Sequence, residues 1–410
     1  MSNIKILLLN FDYPPNHGIG GRRWAKFTAE LAKSGTIVHV VKAEQLNHLP
    51  NSNWAEEVQH DLIHVHDVER SLPLWFTHPQ QGIRNKIKFH AFKKWLRLRE
   101  KGGIYDVSIG MEEALMKRCS ELIEEVGITH LIATGAPFNL LVTGAKLKKK
   151  HPHLFFLADY RDPWLTAKNY GMPQLNDAQK MVEKNKQQFV FEQANLITSP
   201  YEKLTHLTIS QNTDAELKLR GEELGHCFDE SKLPPIRPQM ESGSFTLVYG
   251  GAFYMGIEKN LKQLVATIEK LKNSHPKLHH QLQVKVFSDD QAKFKKALNG
   301  HHKIQVMPSI GKGLFEEIDR ASASIIMLAE HNKDFKTSKF WEFASRRKPI
   351  AFIGAEGETC LFIEENRMGL HIQKAEDLAK FMEESDWNRA YPIENHTLKY
   401  ICTELKSWMT

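Results

Sequence analysis

The sequence predicts an α/β protein with two domains facing a cleft, and three observations predict it. Short continuous apolar runs alternate with stretches of helical periodicity, the pattern of buried parallel strands joined by crossover helices. The alternation pauses in a proline-rich stretch at residues 229–244 and then resumes. The chain has 410 residues, room for two or three full cores at roughly 100–200 residues per domain.

Residues 4–10 are the first buried strand. A turn-rich loop follows, and Trp24, Phe27, Thr28, Leu31 and Ala32 then mark one face of a helix that Gly35 ends. Residues 37–41 are the next strand, giving the strand–loop–helix–strand start of an α/β domain. Helices at 112–126, 138–150 and 174–194 alternate with strands at 130–134, 154–159 and 196–199. The stretch 229–244, with Pro234, Pro235, Pro238 and Gly243, reads as a linker. The second series has strands at 245–250, 282–288, 304–307, 323–328, 349–353 and 369–372. Its helices are at 259–272, 290–298, 312–321, 338–346 and 375–384. Residues 395–408 have helical periodicity. The expected division is 1–235, 245–385 and a tail, 386–410.

Composition excludes several classes. The four cysteines, Cys119, Cys227, Cys360 and Cys402, are far apart and form no CxxC, which argues against a zinc ribbon, a redox pair or a disulfide scaffold and suits a reducing cytosol. The apolar run near the start, Ile6 to Leu9, is too short for a secretion signal, and no stretch approaches the ~20 apolar residues of a membrane span. The expectation is a soluble or peripheral protein. The net charge of +6 is mild.

Ligands of such sheets sit beyond the carboxyl ends of the strands, so functional side chains are expected in the loops there. Gly18, Gly20 and Gly21 permit close backbone approach, and the helix start behind them offers N–H groups to an anion. Position 23 is Arg23, so the third glycine of a dinucleotide fingerprint is missing. The second strand ends Val40-Val41-Lys42 with no acid to hold a ribose, which disfavours NAD and FAD. Two readings stand: a structural turn, or a loop facing a phosphate or sugar. In the segment Asp334–Glu342, Thr337 or Ser338 can cap a helix. Lys339 in its first turn can neutralise a phosphate, helped by the helix dipole and free N–H groups. Glu342 can accept both hydroxyls of a ribose, and Asp334 those of a second sugar. A helix cap with two solvated acids beside it is the alternative.

Four segments, in order and covering nearly the whole chain, resemble a family-4-type retaining glycosyltransferase with the GT-B fold. They are FDYPPNHGIGGRRWAKFTAELAKSG, ATGAPFNLLVTGAKLKKKHPHLFFLADYRDPW, LVYGGAFYMGIEKNLKQLV and TSKFWEFASRRKPI. The second resembles the Asp-x-Arg-Asp-Pro-Trp subgroup of envelope polysaccharide enzymes. The resemblance implies two Rossmann-like domains and a final helix returning to the first. It implies that Glu342 binds the nucleotide ribose and that Asp334, a methylene shorter than the family's glutamate, lies near the donor sugar. Gly250 and Gly251 correspond to a diphosphate-facing turn. The arginine often found after it is Met255, leaving Lys259 or Lys339 to supply the charge. Gly18, Gly20 and Gly21 match a loop that approaches the diphosphate and acceptor. Asp159, Arg161 and Asp162 end a cleft-facing strand, where Asp159 or Asp162 orients acceptor or donor sugar.

The function implied is transfer of a sugar from a nucleotide-diphosphate donor to a glycan or lipid-linked acceptor in envelope polysaccharide synthesis, with retention, at the cytosolic face. Stabilising the leaving diphosphate is the main task. It falls to Lys259, Lys339, the Gly250–Gly251 turn and the helix start at Ser338. No Asp-x-Asp pair is present to hold a metal beside a diphosphate, so neither metal nor cofactor is expected. A nucleotide-sugar 2-epimerase of the same fold and a non-catalytic nucleotide-sugar-binding protein are the alternatives.

The histidines of His64-Val65-His66-Asp67 share a strand face but make a weak metal signal. Lys148–Lys150 and Arg346–Lys348 read as cations complementing helix C-termini. Residues 84–101 stand apart. They carry eight Lys/Arg and one Glu, a net of +7, so the rest of the chain sums to −1. Lys86, Lys93, Lys94, Arg97 and Lys101 fill one arc of a helical wheel, and Phe89, Phe92, Trp95 and Leu96 fall mainly on another side. Contact of Lys86, Phe89, Phe92, Lys93, Trp95 and Arg97 with an anionic membrane or lipid-linked acceptor is the favoured reading. A solvated helix is the alternative, and nucleic acid is not the expected partner.

Overall fold

The computed structural model describes residues 4–46, 51–52, 54–77, 82–236, 243–384, 387 and 391–410. The chain divides into two compact units, one of Met1–Gly225 with Ile401–Thr410, the other of His226–Tyr400. Residues 237–242 of the expected linker, and 386 and 388–390 of the expected tail, lie outside the described residues.

The first unit is a seven-stranded sheet of β1 (Lys5–Leu9), β2 (Ile37–Ala43), β3 (Ile63–Val68), β4 (His130–Gly135), β5 (Phe155–Tyr160), β6 (Leu196–Ser199) and β7 (Gly221–Glu223). The order is β3-β2-β1-β4-β5-β6-β7, and every pairing is parallel. The second is a six-stranded parallel sheet of β8 (Phe245–Gly250), β9 (Leu282–Phe287), β10 (Ile304–Met307), β11 (Ala323–Leu328), β12 (Ile350–Gly354) and β13 (Gly369–His371), ordered β10-β9-β8-β11-β12-β13. The α/β class and the parallel sheets are as the sequence predicts. Covered on both faces, β1, β4, β8 and β11 are mostly apolar on both sides, so their runs do not alternate.

Each strand order reverses once, at β1/β4 in the first sheet and β8/β11 in the second. A crevice opens beyond the carboxyl ends of the strands at such points. The helix Leu398–Trp408 carries the chain back into the first unit. There the Met409 carbonyl lies 2.8 Å from His130 Nε2, and Arg220 donates to the Trp408 carbonyl. Leu405 and Met409 are buried.

Three features escape the sequence reading. The edge strand β7 reads Gly-Glu-Glu, without the β-branched or aromatic residues that mark a strand. Three short 3-10 turns between Trp164 and Gln174 follow β5. Arg346, read as a cation complementing a helix C-terminus, does more than that. Its guanidinium is buried against both Asp319 oxygens and donates to the Pro234 and Pro235 carbonyls.

Candidate functional site

At the first unit's switch point, the loop after β1 meets the ends of β4 and β5. The helix Ile19–Lys33 begins behind Gly18, whose φ of +152° is one that side chains rarely adopt. A methyl group on Gly21 would fall 1.8 Å from the Asp12 carbonyl oxygen, and one on Gly20 1.4 Å from an Arg161 guanidinium nitrogen. The glycines are therefore required by contacts within the chain, and they let Arg161 lie across the helix start. Arg161 also donates to the Ala136 carbonyl, while its Nε is buried without a hydrogen-bond partner. Burial pushes the Asp162 carboxyl up, against the opposing pull of Arg161. Tyr170 is pushed up to about 12 by burial, with Asp162 adding to it.

Asp159 stands differently. It has no exposed surface. Its Oδ2 accepts from Trp24 Nε1 at 2.7 Å and Thr134 Oγ1 at 3.0 Å. Its Oδ1 accepts from Thr198 Oγ1 at 3.0 Å and Arg23 at 3.5 Å. With both oxygens saturated inside the unit, Asp159 ties β5 to β4, β6 and the first helix. A direct contact with a sugar is therefore replaced by a positioning role. Two more acids do related work that the sequence does not announce. Glu183 accepts from Trp164 Nε1 and the Gly103 amide. Buried Asp106 accepts from the Asn139 amide at the head of the helix Asn139–Lys150. Trp164 stacks on Phe138 at 5.0 Å. The Asp-Tyr-Arg-Asp-Pro-Trp segment thus has two structural anchors, Asp159 and Trp164, with Arg161 and Asp162 between them.

At the second unit's switch point, β8 ends in Gly250. A methyl on Gly251 would fall 2.6 Å from Lys339 Nζ and 2.9 Å from the Tyr249 hydroxyl, while one on Gly250 would meet Leu314. The lysine of the helix Ser338–Ala344 therefore reaches the glycine turn 88 positions earlier in the chain. Thr337 is the N-cap, its hydroxyl accepting from the Phe340 amide at 3.2 Å. Ser338 and Glu342 are half-buried on the same helix. Asp334 caps a different helix: its Oδ1 accepts from the Glu358 amide at 2.9 Å, at the start of Glu358–Glu365. This oxygen was expected at a sugar. Lys259 is exposed on the helix Ile257–Ser274, away from the buried face of Ile257, Asn260 and Leu261. Of the two lysines proposed for the turn, Lys339 is the one the fold brings there. Asn260, unremarked in the sequence, donates to the Leu328 and Ile353 carbonyls and ties β11 to β12 at the same edge.

The basic segment is the helix Ile83–Arg99. Phe89 and Phe92 turn inward, with ring centroids 5.0 and 4.9 Å from that of Phe76, beside buried Leu96. They are corrected to core contacts rather than surface ones. Lys86, Trp95 and Arg97 are exposed, and Lys93 lies 4.8 Å from the centre of the Tyr105 ring.

Among the described residues one group has metal-ligand spacing, Glu269, His301 and His302. His301 Nδ1 accepts from the Lys303 amide, so its Nε2 carries the hydrogen that it gives to Glu269 at 2.7 Å. That hydrogen occupies the lone pair a metal would need. The triad is a hydrogen-bonded pair with a stacked neighbour. No helix among the described residues is long and apolar enough to cross a membrane.

Sequence comparison matches the chain to no family model and to no curated protein. Solved structures do match. A glycosyltransferase from Rickettsia africae ESF-5 has 12% identity and a TM-score of 0.59, covering 100% of this chain and 98% of its own. An E. coli trehalose-6-phosphate structure bound with UDP-2-fluoro glucose has 10% identity and a TM-score of 0.62, covering 99% and 98%. A candidate UDP-N-acetylglucosamine 2-epimerase from Listeria monocytogenes has 9% identity and a TM-score of 0.53, covering 99% and 95%. At such identity the likeness establishes the fold: the chain has the two-sheet α/β architecture of GT-B proteins.

Proposed function

We propose that the chain is a glycosyltransferase that moves a sugar, with retention, from a nucleoside-diphosphate donor to a glycan or lipid-linked acceptor in envelope polysaccharide synthesis. The observation that carries the reading is the seat of Lys339 at the Gly250–Gly251 turn, at the point of the second sheet where such folds bind ligands. The fold it shares with a glycosyltransferase and with a UDP-2-fluoro glucose complex supports it. Breaking a sugar–phosphate bond leaves positive charge on the sugar and negative charge on the diphosphate. A fixed ammonium and backbone N–H groups aimed at the leaving group lower that barrier. In this reading Lys339, the glycine turn and the start of the Ser338–Ala344 helix hold the diphosphate, and Glu342 accepts the ribose hydroxyls. Arg161, whose buried Nε lacks a partner, and Asp162 serve the sugar side. Asp159 and Asp334 act by holding backbone in place. The nucleotide sugar is the substrate, and the proposed reaction calls on no metal. The cytosol, where nucleotide sugars are available, is the proposed location.

The likeness to the Listeria chain favours a second reading, a nucleotide-sugar 2-epimerase, which needs no acceptor. Incubation with UDP-, GDP-, dTDP- and ADP-sugars separates the two. A transferase releases nucleoside diphosphate faster when acceptor is added. An epimerase returns an isomerised nucleotide sugar without acceptor. Thermal stabilisation by a donor without either product would mark a binding protein. No stabilisation and no product with any donor would refute the proposal.

A further inference from the structure

A groove of about 470 Å³ lies between two helices of the first unit, Asn139–Lys150 and Asp177–Gln193, which follow β4 and β5. Each helix lines it with positions i, i+3, i+4 and i+7, from Asn139 to Lys146 on one and from Val182 to Phe189 on the other. The groove therefore runs along two helical turns, about 10 Å. Glu100, residues 108–110 and Glu112 complete the lining. None of these residues belongs to the candidate site at either sheet edge, and the volume is that of a small-molecule site. Ser108, Ile109, Val142 and Thr143 are its buried part, Asn139 and Phe189 are half-buried, and Asn185 is exposed. Its charges balance. Lys146 pairs with Glu112, and Glu100 meets Arg99. Lys186 donates to Glu183 at 3.0 Å and to Asn139 Oδ1 at 3.3 Å.

We propose that this groove is a second carbohydrate site, which holds a neutral oligosaccharide apart from the reacting centre. Sugar hydroxyls both donate and accept, and so do the amides of Asn139 and Asn185. Asn139 gives its oxygen to Lys186 and keeps its NH₂ for a ligand. Asn185 has no hydrogen-bond partner among the described residues. The Phe189 ring, beside Val182 and Val142, offers an apolar surface to the C–H face of a sugar ring. The same lining disfavours other ligands. A phosphate or nucleotide calls for an excess of cations, and here each lysine has its acid. An acyl chain would bury Ser108, Thr143 and Asn139 without replacing their water. For an enzyme that extends a glycan, a second grip on the chain raises the effective concentration of acceptor at the reacting centre. That purpose rests on the proposed function. The binding itself does not, because it is measured without a nucleotide sugar.

The test is calorimetric titration of the full chain with maltohexaose, cellohexaose and chitohexaose, each to about 10 mM. At least one of them is expected to bind. Asn185→Ala and Phe189→Leu each weaken that binding at least ~3-fold, and the double variant at least ~10-fold. Asn185 is exposed, and leucine keeps the apolar packing of Phe189 while removing its ring, so both variants fold. Arg161→Gln, at the candidate site of the same unit, binds the hexasaccharide as the parent does. Glycan binding without sugar transfer would leave this inference standing and the proposed function refuted. Failure of all three hexasaccharides to bind overturns the inference. So does undiminished binding by the double variant, loss of binding in a folded Arg161→Gln protein, or displacement of the hexasaccharide by inorganic phosphate.

Discussion

Replacing Asp159 with Asn tests whether that acid holds the first unit together or reacts. The amide keeps one oxygen and turns the other into a donor. Trp24 Nε1 can only donate, so the retained oxygen must stay at Oδ2, where it serves Trp24 and Thr134. The new NH₂ then faces Thr198, whose hydroxyl can rotate to accept, and Arg23, which cannot. Arg23, with a side chain 4% exposed, loses its carboxylate, although it still donates to the Leu224 carbonyl. Two charge-assisted bonds become neutral and a buried cation loses its counter-charge, a cost of about 2–4 kcal/mol. For a unit of this size that corresponds to a melting temperature lower by about 5–12 °C. Asp159→Ala, which orphans Trp24 Nε1 as well, costs more. Differential scanning calorimetry reads the stability, and donor turnover below the transition reads the activity. An Asp159→Asn protein that melts within about 2 °C of the parent yet loses turnover would refute the reasoning and return Asp159 to the reacting groups.

Asp334→Ala removes the acceptor at the Glu358 amide and lowers stability by about 1 kcal/mol in urea unfolding, while Asp334→Asn restores most of it because an amide oxygen caps equally well. Arg346→Ala removes the guanidinium that both oxygens of buried Asp319 accept from and costs about 3–5 kcal/mol, a loss large enough to appear as poor recovery of folded protein. Acid weakens both units. His39 is held down to about 4 by burial and by His64, His66 and Arg118, and His396, stacked on Trp341, is held down to about 4 by burial and by Lys336. Both sites are neutral in the fold and protonate near pH 6.5 when unfolded. Their stability is therefore fully present above pH 6.5 and is lost as pH falls toward 4, by about 2–3 kcal/mol each. Melting temperature against pH shows this slope, and a His39→Gln/His396→Gln variant flattens it.

The strands were legible because a parallel sheet covered on both faces writes itself as unbroken apolar runs, as in Leu131–Ala133 and Ile325–Met327. The Lys339 helix was legible because its cap and first-turn lysine are local features. What stayed hidden depends on partners distant in sequence. Nothing near Asp159 announces Trp24, Thr134 and Thr198, and Glu183 meets Gly103 across 80 residues. Asp334 looks solvated until Glu358, 24 positions on, brings its amide. The helix Ile83–Arg99 misleads for another reason. Apolar and basic residues mix around it, so periodicity cannot say which side faces the protein. That choice is made by Phe76 and Trp75, which lie before the helix and claim Phe89 and Phe92.

The central claim is that the carboxyl edge of the second sheet holds the nucleoside-diphosphate end of a donor sugar. It is tested most directly by release of nucleoside diphosphate from a saturating donor by the Glu342→Ala/Lys339→Ala double variant beside the parent. The account predicts a rate lower by at least ~100-fold in a variant that still unfolds cooperatively. Release at the parental rate would contradict it.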